Sequence, residues 1–270
     1  MCGPGRGRRT LNKLRIGSVP YLNARPLVEG LCGDPSVAYL EAVPSRLAGL
    51  LREGAVDVAL VSSIEALSAG FDRIVDGYCI ASRGAVMSVR VIGREDPRLA
   101  RSVALDGASL TAARLTRIVY ERFLDRQGVL FRPAGIGPIP EDAGCDATLL
   151  IGDTALKRPF DPAHDLDLGV VWTDATGLPF VWAVWLLREG VDQAAVLPVL
   201  SRAAERGAAR IEAAVEQAAR ELSIEPDLAR EYLTRAMWYR LGPEELTGLQ
   251  RFCTLAGRDA EHPIRCADPA

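Results

Sequence analysis

The chain has 270 residues, of which 49% are hydrophobic and 25% are charged, a balance typical of a globular protein. Its formal net charge of −3 argues against a general nucleic-acid binder, which would carry a basic face. No stretch approaches the roughly 20 apolar residues of a membrane-spanning helix, and the basic N-terminus lacks the apolar segment of a secretory signal. We therefore expect a cytoplasmic protein with no nucleic-acid or membrane partner.

The six cysteines are scattered, and none of them forms a C-x-x-C pair. With only two histidines, His164 and His262, a zinc site is not expected, and the thiols are expected to be reduced. The glycine-rich stretches lack the phosphate-binding and dinucleotide-binding patterns, so we expect no metal and no cofactor. Residues 1–13 are predicted to be a disordered tail, with a basic targeting arm as the alternative.

The first third of the chain alternates between short apolar segments and amphipathic helical ones. The pattern predicts strands at Leu14–Val19, Ala38–Val43 and Val56–Val61, and helices that begin near Asn23, Ser45 and Ile64. This alternation is typical of an α/β lobe with a mostly parallel sheet.

The middle of the chain repeats the alternation, and the last third is helical. Extended segments are predicted at Ser88–Gly93, Val103–Asp106, Ala147–Ile151, Leu168–Trp172 and Phe180–Leu187. Helices are predicted after Ser109, after Gly152, and over Gln193–Leu222, Pro226–Arg240 and Pro243–Ala256, with a Gly/Pro loop at Gly135–Pro140.

This order of elements predicts two α/β lobes joined by two crossings, near Ser88–Gly93 and near Trp172–Phe180. We expect residues 14–93 and 173–270 to form a first, discontinuous lobe, and residues 94–172 to form a second lobe. The monomer or a weak homodimer is the expected state.

Polar clusters follow four of the predicted strands, at Tyr21–Asn23, Ser62-Ser63, Ser109–Thr111 and Gly152–Thr154. Ligands of open α/β sheets bind beyond the carboxyl ends of the strands, and helix N-termini attract anions. The sequence thus predicts a cleft for a small polar anion. Each cluster also has a structural interpretation: Asn23, Ser109, Thr111 and Asp153 as helix caps, Ser62-Ser63 as a turn, and Tyr21 as a core residue.

Six blocks in series resemble the MqnA family of chorismate dehydratases, which act in the futalosine route to menaquinone. The opening block is Arg15-Ile16-Gly17-Ser18-Val19-Pro20-Tyr21-Leu22-Asn23-Ala24-Arg25-Pro26-Leu27. Similar blocks follow at Asp57–Glu65, Cys79–Val89, Ala104–Thr111, Leu149–Leu156 and Thr176–Trp185. The resemblance implies a two-lobed periplasmic-binding-protein type II fold with a ligand cleft between the lobes. It also implies that chorismate loses water to give 3-[(1-carboxyvinyl)oxy]benzoate.

On this hypothesis Asn23 orients the departing hydroxyl or a carboxylate, while Ser88, Ser109 and Thr111 hold the two carboxylates. Arg90 is a candidate charge partner, with an outward-facing position as the alternative. The proton acceptor is the enolpyruvyl carboxylate of the substrate itself, and Asp153 is the competing base. The remaining candidates for substrate binding are Tyr21, Ser62, Ser63 and Gly152.

Three other functions remain open for such a sequence. A non-catalytic solute-binding protein would share the fold, as would the sister enzyme acting on cyclic dehypoxanthine futalosine. That enzyme is expected to use a histidine base, so the near absence of histidine favours the dehydratase. A transcription-factor effector domain is the third option, although no helix-turn-helix segment precedes residue 14.

Overall fold

The chain folds around two separate β-sheets, one of seven strands and one of five. A computed structural model describes residues 13–66, 73–134, 144–257 and 265–266. The predicted tail, apart from Lys13, and the predicted loop at Gly135–Pro140 lie outside the described residues.

The strands are short and mostly buried. They are β1 (Leu14–Ser18), β2 (Val37–Glu41), β3 (Val58–Ser62), β4 (Arg73–Ser82), β5 (Val89–Gly93), β6 (Ser102–Leu105), β7 (Leu130–Pro133), β8 (Ala147–Ile151), β9 (Asp165–Asp167), β10 (Phe180–Leu187), β11 (Met237–Leu241) and β12 (Arg265–Cys266).

Helices connect the strands and cover the sheets. They are α1 (Arg25–Val28), α2 (Pro44–Arg52), α3 (Ser63–Ala66), α4 (Leu110–Ile118), α5 (Gly152–Lys157), α6 (Leu168–Thr176), α7 (Gln193–Ala209), α8 (Ile211–Leu222), α9 (Pro226–Glu231) and α10 (Pro243–Leu255). Short π-helical segments at Val119–Phe123 and Tyr232–Ala236 continue α4 and α9. Within the described part of the chain, none of the helices combines the length and the apolar character that crossing a bilayer requires.

The first lobe is built on a sheet with strand order β11-β4-β10-β3-β1-β2, to which β12 adds beside β4. Strand β1 pairs in parallel with β2 and β3, because α1 and α2 carry the chain back between strands. Strand β10 lies antiparallel between β3 and β4, and its residues are almost all buried, as the Val- and Trp-rich sequence predicts.

The second lobe is built on a sheet with strand order β7-β6-β8-β5-β9. Strand β5 pairs along its whole length with β8 and also with β9, so it belongs to this sheet. The expected lobe boundary after residue 93 is therefore wrong, because the chain already leaves the first lobe at 83–88. The two-lobed α/β architecture itself is confirmed.

A single carboxylate ties the two crossings together. Asp167 accepts backbone hydrogen bonds from Val86 and Met87 of the first crossing, at 3.1 and 2.7 Å. The same carboxylate accepts from Gly169 and Val170 at the start of α6, at 2.9 and 3.1 Å, and so caps that helix. The two passages between the lobes are thereby held side by side.

Three stretches adopt a different structure from the predicted one. Leu168–Trp172 begins α6 and is not extended, because Asp167 caps it. The predicted helix over Pro226–Arg240 ends at Ala236, and Met237–Leu241 pairs with β4 as an edge strand. The predicted helix over Gln193–Leu222 is divided at Arg210, which leaves the helical region with φ −112° and ψ 20°.

Gly169 lies where the two crossings come closest. A Cβ at this position would lie 2.3 Å from the Gly84 carbonyl oxygen and 2.9 Å from the Val86 nitrogen, both of them backbone atoms. We expect Gly169→Ala to lower the free energy of unfolding by about 1–3 kcal/mol, because backbone must move to make room. Urea unfolding followed by circular dichroism measures the change.

Gly33→Ala is the matched control, since a Cβ there meets no atom within 4 Å. It should change the free energy of unfolding by less than about 0.5 kcal/mol. Equal effects of the two substitutions would contradict a close approach at the crossings.

Candidate active site

The polar residues that follow the strands of the two sheets meet between the lobes. Asn23 lies in a 3-10 turn at Leu22–Ala24, just beyond β1. Ser88 precedes β5, and Gly152 and Asp153 begin α5 just beyond β8. The Gly152 N–H donates to the Ser88 carbonyl at 2.7 Å, so the two segments of the second lobe are joined.

The Asn23 side chain is not a helix cap. The residue that caps α1 is Ala24, and no side-chain hydrogen bond is made there. The Asn23 amide hydrogen-bonds with the Tyr232 hydroxyl, which in turn donates to Ser88 Oγ at 2.8 Å. The Asn23 Oδ1 atom is buried and has no hydrogen-bond partner among the described residues. A buried acceptor without a donor is costly, so this atom is suited to accept from a bound molecule.

Tyr232 lies in the same cluster as Asn23 and Ser88, although the sequence did not indicate it. It is 1% exposed, and burial raises the pKa of its hydroxyl. The residue stands in the π-helical segment after α9, which is more than 200 positions away from Asn23 in the chain. No local motif marks it, so only the tertiary structure could bring it to the cluster.

Contacts between Tyr21, Leu22 and the start of α5 hold the lobes together. The Leu22 N–H donates to Asp153 Oδ1 at 3.2 Å. Gly152 has φ +61°, and a Cβ there would lie 3.3 Å from the Tyr21 ring. Asp153 therefore faces the other lobe and does not cap its own helix, whose N-cap residue is Ile151. A side chain at residue 152 would be both strained and crowded.

Two buried carboxyl groups flank Tyr21. Burial raises the pKa of Asp153 and also that of Asp106, the first residue beyond β6. The Tyr21 pKa is raised by burial and then by the charges of Asp106 and Asp153. Asp106 was not selected from the sequence as a site residue, although its position directly after a strand is the signal that would have found it. Both carboxyls can hold a proton more readily than an exposed aspartate.

The hydroxyls at the start of α4 accept hydrogen bonds from the backbone. Ser109 Oγ accepts from the Ala112 N–H at 3.2 Å, which confirms its role as a cap. Thr111 Oγ1 accepts from the Ile64 N–H of the other lobe at 2.9 Å. These two hydroxyls thus keep their own hydrogens available for a ligand.

The serines after β3 are placed differently. Ser63 Oγ donates its hydrogen to the Val181 carbonyl of β10 at 2.6 Å, and the residue is fully buried. This bond fixes the end of β3 against β10 and leaves Ser63 no hydrogen to donate. Ser62, the last residue of β3, is 6% exposed.

Arg90 has a structural role that neither sequence interpretation anticipated. Its side chain is buried in the second lobe, where it forms an ion pair with Asp165 at 2.9 Å. It also donates to the carbonyl groups of Ala155 and Arg158, at the end of α5. The guanidinium therefore binds protein groups around α5 and β9, and it is neither outward-facing nor turned to the cluster of Asn23 and Ser88.

The fold and the position of this cluster, between two lobes and beyond the strand ends, define a protein of the periplasmic-binding-protein-like class. A protein from Archaeoglobus fulgidus has a similar structure, with a TM-score of 0.73 at 15% identity over 93% of this chain and 98% of that one. The periplasmic aliphatic sulphonate binding protein of Escherichia coli matches with a TM-score of 0.62 at 16% identity over 96% of this chain and 94% of that one.

Sequence comparison is more specific. The chain belongs to the menaquinone biosynthesis family, whose model matches residues 14–258. A chorismate dehydratase of Thermus thermophilus is 31% identical, over 90% of this chain and 94% of the relative. A chorismate dehydratase of Campylobacter jejuni is 27% identical, over 88% of this chain and 95% of the relative. The predicted family resemblance is confirmed.

The raised pKa of Asp153 makes its effect on stability depend on pH. A carboxyl with a raised folded-state pKa contributes stability at acid pH, and this contribution is lost as the pH rises through that value. Asp153→Asn keeps an oxygen for the Leu22 N–H but cannot ionise. We therefore expect the variant to gain stability relative to the parent between about pH 4.5 and about pH 7.5, as measured by urea unfolding.

The matched control is Asp174→Asn, which makes the same substitution in α6, outside the cluster. A difference in free energy between Asp153→Asn and the parent that stays constant with pH would contradict the buried, proton-holding Asp153.

Proposed function

We propose that this protein is a chorismate dehydratase, a cytoplasmic hydro-lyase that converts chorismate to 3-[(1-carboxyvinyl)oxy]benzoate and takes part in menaquinone biosynthesis. Family membership and the two similar chorismate dehydratases support the reaction. The structural observation that carries the proposal is the buried Asn23 Oδ1, which lacks a partner in the described part of the chain and lies beside Tyr232 and Ser88 between the lobes. An acceptor in this position suits a substrate that bears a hydroxyl group.

Three hydroxyls support the binding of a dicarboxylate. Ser88, Ser109 and Thr111 each accept a hydrogen bond from the protein, from Tyr232, Ala112 and Ile64 respectively. Within the described residues none of the three donates its own hydrogen to another group. Each can therefore donate to a carboxylate oxygen. The N-terminus of α4 adds backbone N–H groups to the same region.

Asn23 would orient the leaving hydroxyl of the substrate. The C4 hydroxyl of chorismate donates to Asn23 Oδ1, while the Asn23 amide nitrogen is held by the Tyr232 hydroxyl. Loss of the C3 proton and of this hydroxyl yields an aromatic ring, so the chemistry is downhill. The task of the protein is to hold one reactive conformer, which can be worth several kcal/mol.

The proton acceptor is proposed to be the enolpyruvyl carboxylate of the substrate, with Asp153 as the competing base. Asp106 and Asp153 are both buried beside Tyr21, and burial raises the pKa of both carboxyl groups. A bound dianion would raise these pKa values further by like-charge repulsion. A protonated Asp106 is therefore a candidate donor for the proton that the departing hydroxyl needs, and Asp153 could donate it only if the substrate carboxylate, and not Asp153, is the base.

The sister-enzyme alternative is less well supported. His164, the histidine within the described residues, hydrogen-bonds with Asp161 at 2.8 Å in a loop that follows α5. It borders a separate cavity of about 290 Å³ near Ile92, Gly93 and Thr148. A histidine base at the Asn23 cluster is thus not provided by this residue.

The purified protein is expected to convert chorismate to the enolpyruvyl benzoate without added nucleotide or metal. Liquid chromatography of the products measures the conversion, with heat-denatured protein as the control. A folded protein that binds chorismate but returns it unchanged would instead indicate a solute-binding protein. Conversion of cyclic dehypoxanthine futalosine in place of chorismate would indicate the sister activity.

Asn23 provides the sharper test at the level of one side chain. We expect Asn23→Ala and Asn23→Asp each to lower kcat/KM by at least ~10-fold, since leaving the buried substrate hydroxyl without its acceptor costs about 1–3 kcal/mol. Asn23→Asp also places a negative charge beside an anionic substrate, so it should be the weaker binder. Because Asn23 caps no helix, the melting temperature should change little.

The matched control is Ser36→Ala, which removes a hydroxyl bound to Asp34 on the surface of the first lobe. Its kcat/KM should equal that of the parent. Near-normal turnover in Asn23→Ala would remove Asn23 from the mechanism.

A further inference from the structure

A second cavity lies between the two lobes, and the proposed reaction does not use it. Its volume is about 710 Å³, which is sufficient for a small organic molecule. Its walls come from the first crossing at 83–87, from the end of α5 and the turn that follows at 156–160, and from α9 with its π-helical continuation. Asn23, Ser88, Ser109 and Thr111 are not among its lining residues.

The cavity combines apolar walls with uncommitted positive charge. Phe160 is 58% exposed, although it is a large aromatic residue, and Leu156 and Leu228 lie on the walls beside it. Lys157 at the end of α5 and Arg235 in the π-helical continuation of α9 are both exposed, and within the described residues neither forms an ion pair. A molecule with an aromatic body and one anionic group fits this combination.

The other charged groups of the cavity are already engaged or lie at its rim. Arg83 is bound to Glu244 and Glu245, and Arg90 is bound to Asp165. The Asp167 carboxylate accepts four backbone hydrogen bonds, and Glu231 is exposed. Arg158 also lines the cavity and has an interaction of its own, so the positive charge that remains for a ligand is mainly that of Lys157 and Arg235.

Each wall of the cavity continues directly into the Asn23 cluster. Met87 precedes Ser88, and it has φ +61°, an uncommon conformation for a side chain of this size. Lys157 is the last residue of α5, the helix in which Asp153 is the second residue. The positive charge of Lys157 lowers the pKa of the Asp153 carboxyl and so partly offsets the effect of burial. Glu231 precedes Tyr232. A molecule in the cavity would touch both lobes at once, so it would bind the closed arrangement better than an open one.

We propose that this cavity is a second, regulatory site for an aromatic carboxylate, with the carboxylate between Lys157 and Arg235 and the ring against Phe160 and Leu228. The ligand bridges the lobes behind the Ser88–Tyr232 contact and stabilises their closed arrangement. The site does not rest on the proposed reaction, because its charge and shape are independent of Asn23.

Binding is tested with 2-naphthoate as the probe and 2-naphthalenemethanol as its uncharged counterpart. The chain contains three methionines, Met1, Met87 and Met237, of which Met87 lines the cavity. In protein labelled with 13C at the methionine methyl groups, 2-naphthoate should shift the Met87 signal, which Met87→Leu assigns. The alcohol should bind at least ~5-fold more weakly, because it cannot pair with two exposed cations.

The double variant Lys157→Met, Arg235→Met should weaken the binding of 2-naphthoate at least ~5-fold, and Phe160→Ala should weaken both probes. Arg122→Met, which removes an exposed cation elsewhere on the second lobe, is the control and should leave binding unchanged. Asn23→Ala should also bind 2-naphthoate normally.

Three results would overturn the proposal. These are an unmoved Met87 signal at saturation, equal binding of acid and alcohol, and loss of binding in Asn23→Ala or in the presence of saturating chorismate. The last result would place the probe in the cleft of the proposed reaction. Failure of the dehydratase assay would leave the binding results intact, so the two failures are distinguishable.

Discussion

The arrangement of the two lobes depends on the buried Asp167 carboxylate. It accepts four backbone N–H groups, two from each of the passages that join the lobes. Burial raises the pKa of this carboxyl, and the four backbone donors partly offset that effect. Because Met87 is held in this way, the next residue, Ser88, is directed toward Tyr232. Gly169 adds to the constraint, since the two passages approach too closely there for any Cβ.

In the proposed reaction, the cluster would receive a dianion mainly through neutral hydrogen-bond donors. Arg90 is committed to Asp165 and to carbonyl groups around α5. The groups that remain are hydroxyls, one amide and the N-terminus of α4, together with Arg25, which pairs with Glu221 and whose charge acts on Asp153. Neutral donors of this kind bind anions when they are preorganised and shielded from water. The buried Asp106 and Asp153 then couple the binding of negative charge to the binding of a proton.

The regulatory role proposed for the second cavity depends on the same contacts between the lobes. Its walls are the continuations of the segments that carry Ser88, Asp153 and Tyr232, so a ligand there and a ligand in the cleft would favour the same closed arrangement. Coupling between two such sites requires only that each ligand contacts both lobes, and the coupling is reciprocal. No separate regulatory domain is needed.

The sequence alone determined most of the elements and the candidate residues near the strand ends. Strand β8 and the buried strand β10 occur where the apolar runs predict them, because a fully buried strand needs only a local apolar segment. The pairing of β11 with β4 was not predicted, because β11 is only five residues long and follows directly on a helical segment, so its short alternation was assigned to the helix. The helix that begins at Leu168 had a signal in the sequence, the capping Asp167, but the β-branched Val170 and Val171 obscured it.

For the site, the sequence identified Asn23, Ser88, Ser109, Thr111 and Asp153, since each follows or precedes a predicted strand. Only the tertiary structure decided their hydrogen-bonding roles. Among the described residues, the Asn23 oxygen has no donor. Ser63 donates its hydrogen to a carbonyl of β10, and Arg90 forms an ion pair with Asp165. Tyr232, which is distant from Ser88 in the sequence, hydrogen-bonds with it only in the folded chain. The physical reason is that strand periodicity places a residue at the edge of a sheet, whereas the partner of a polar atom depends on which distant segments pack against that edge.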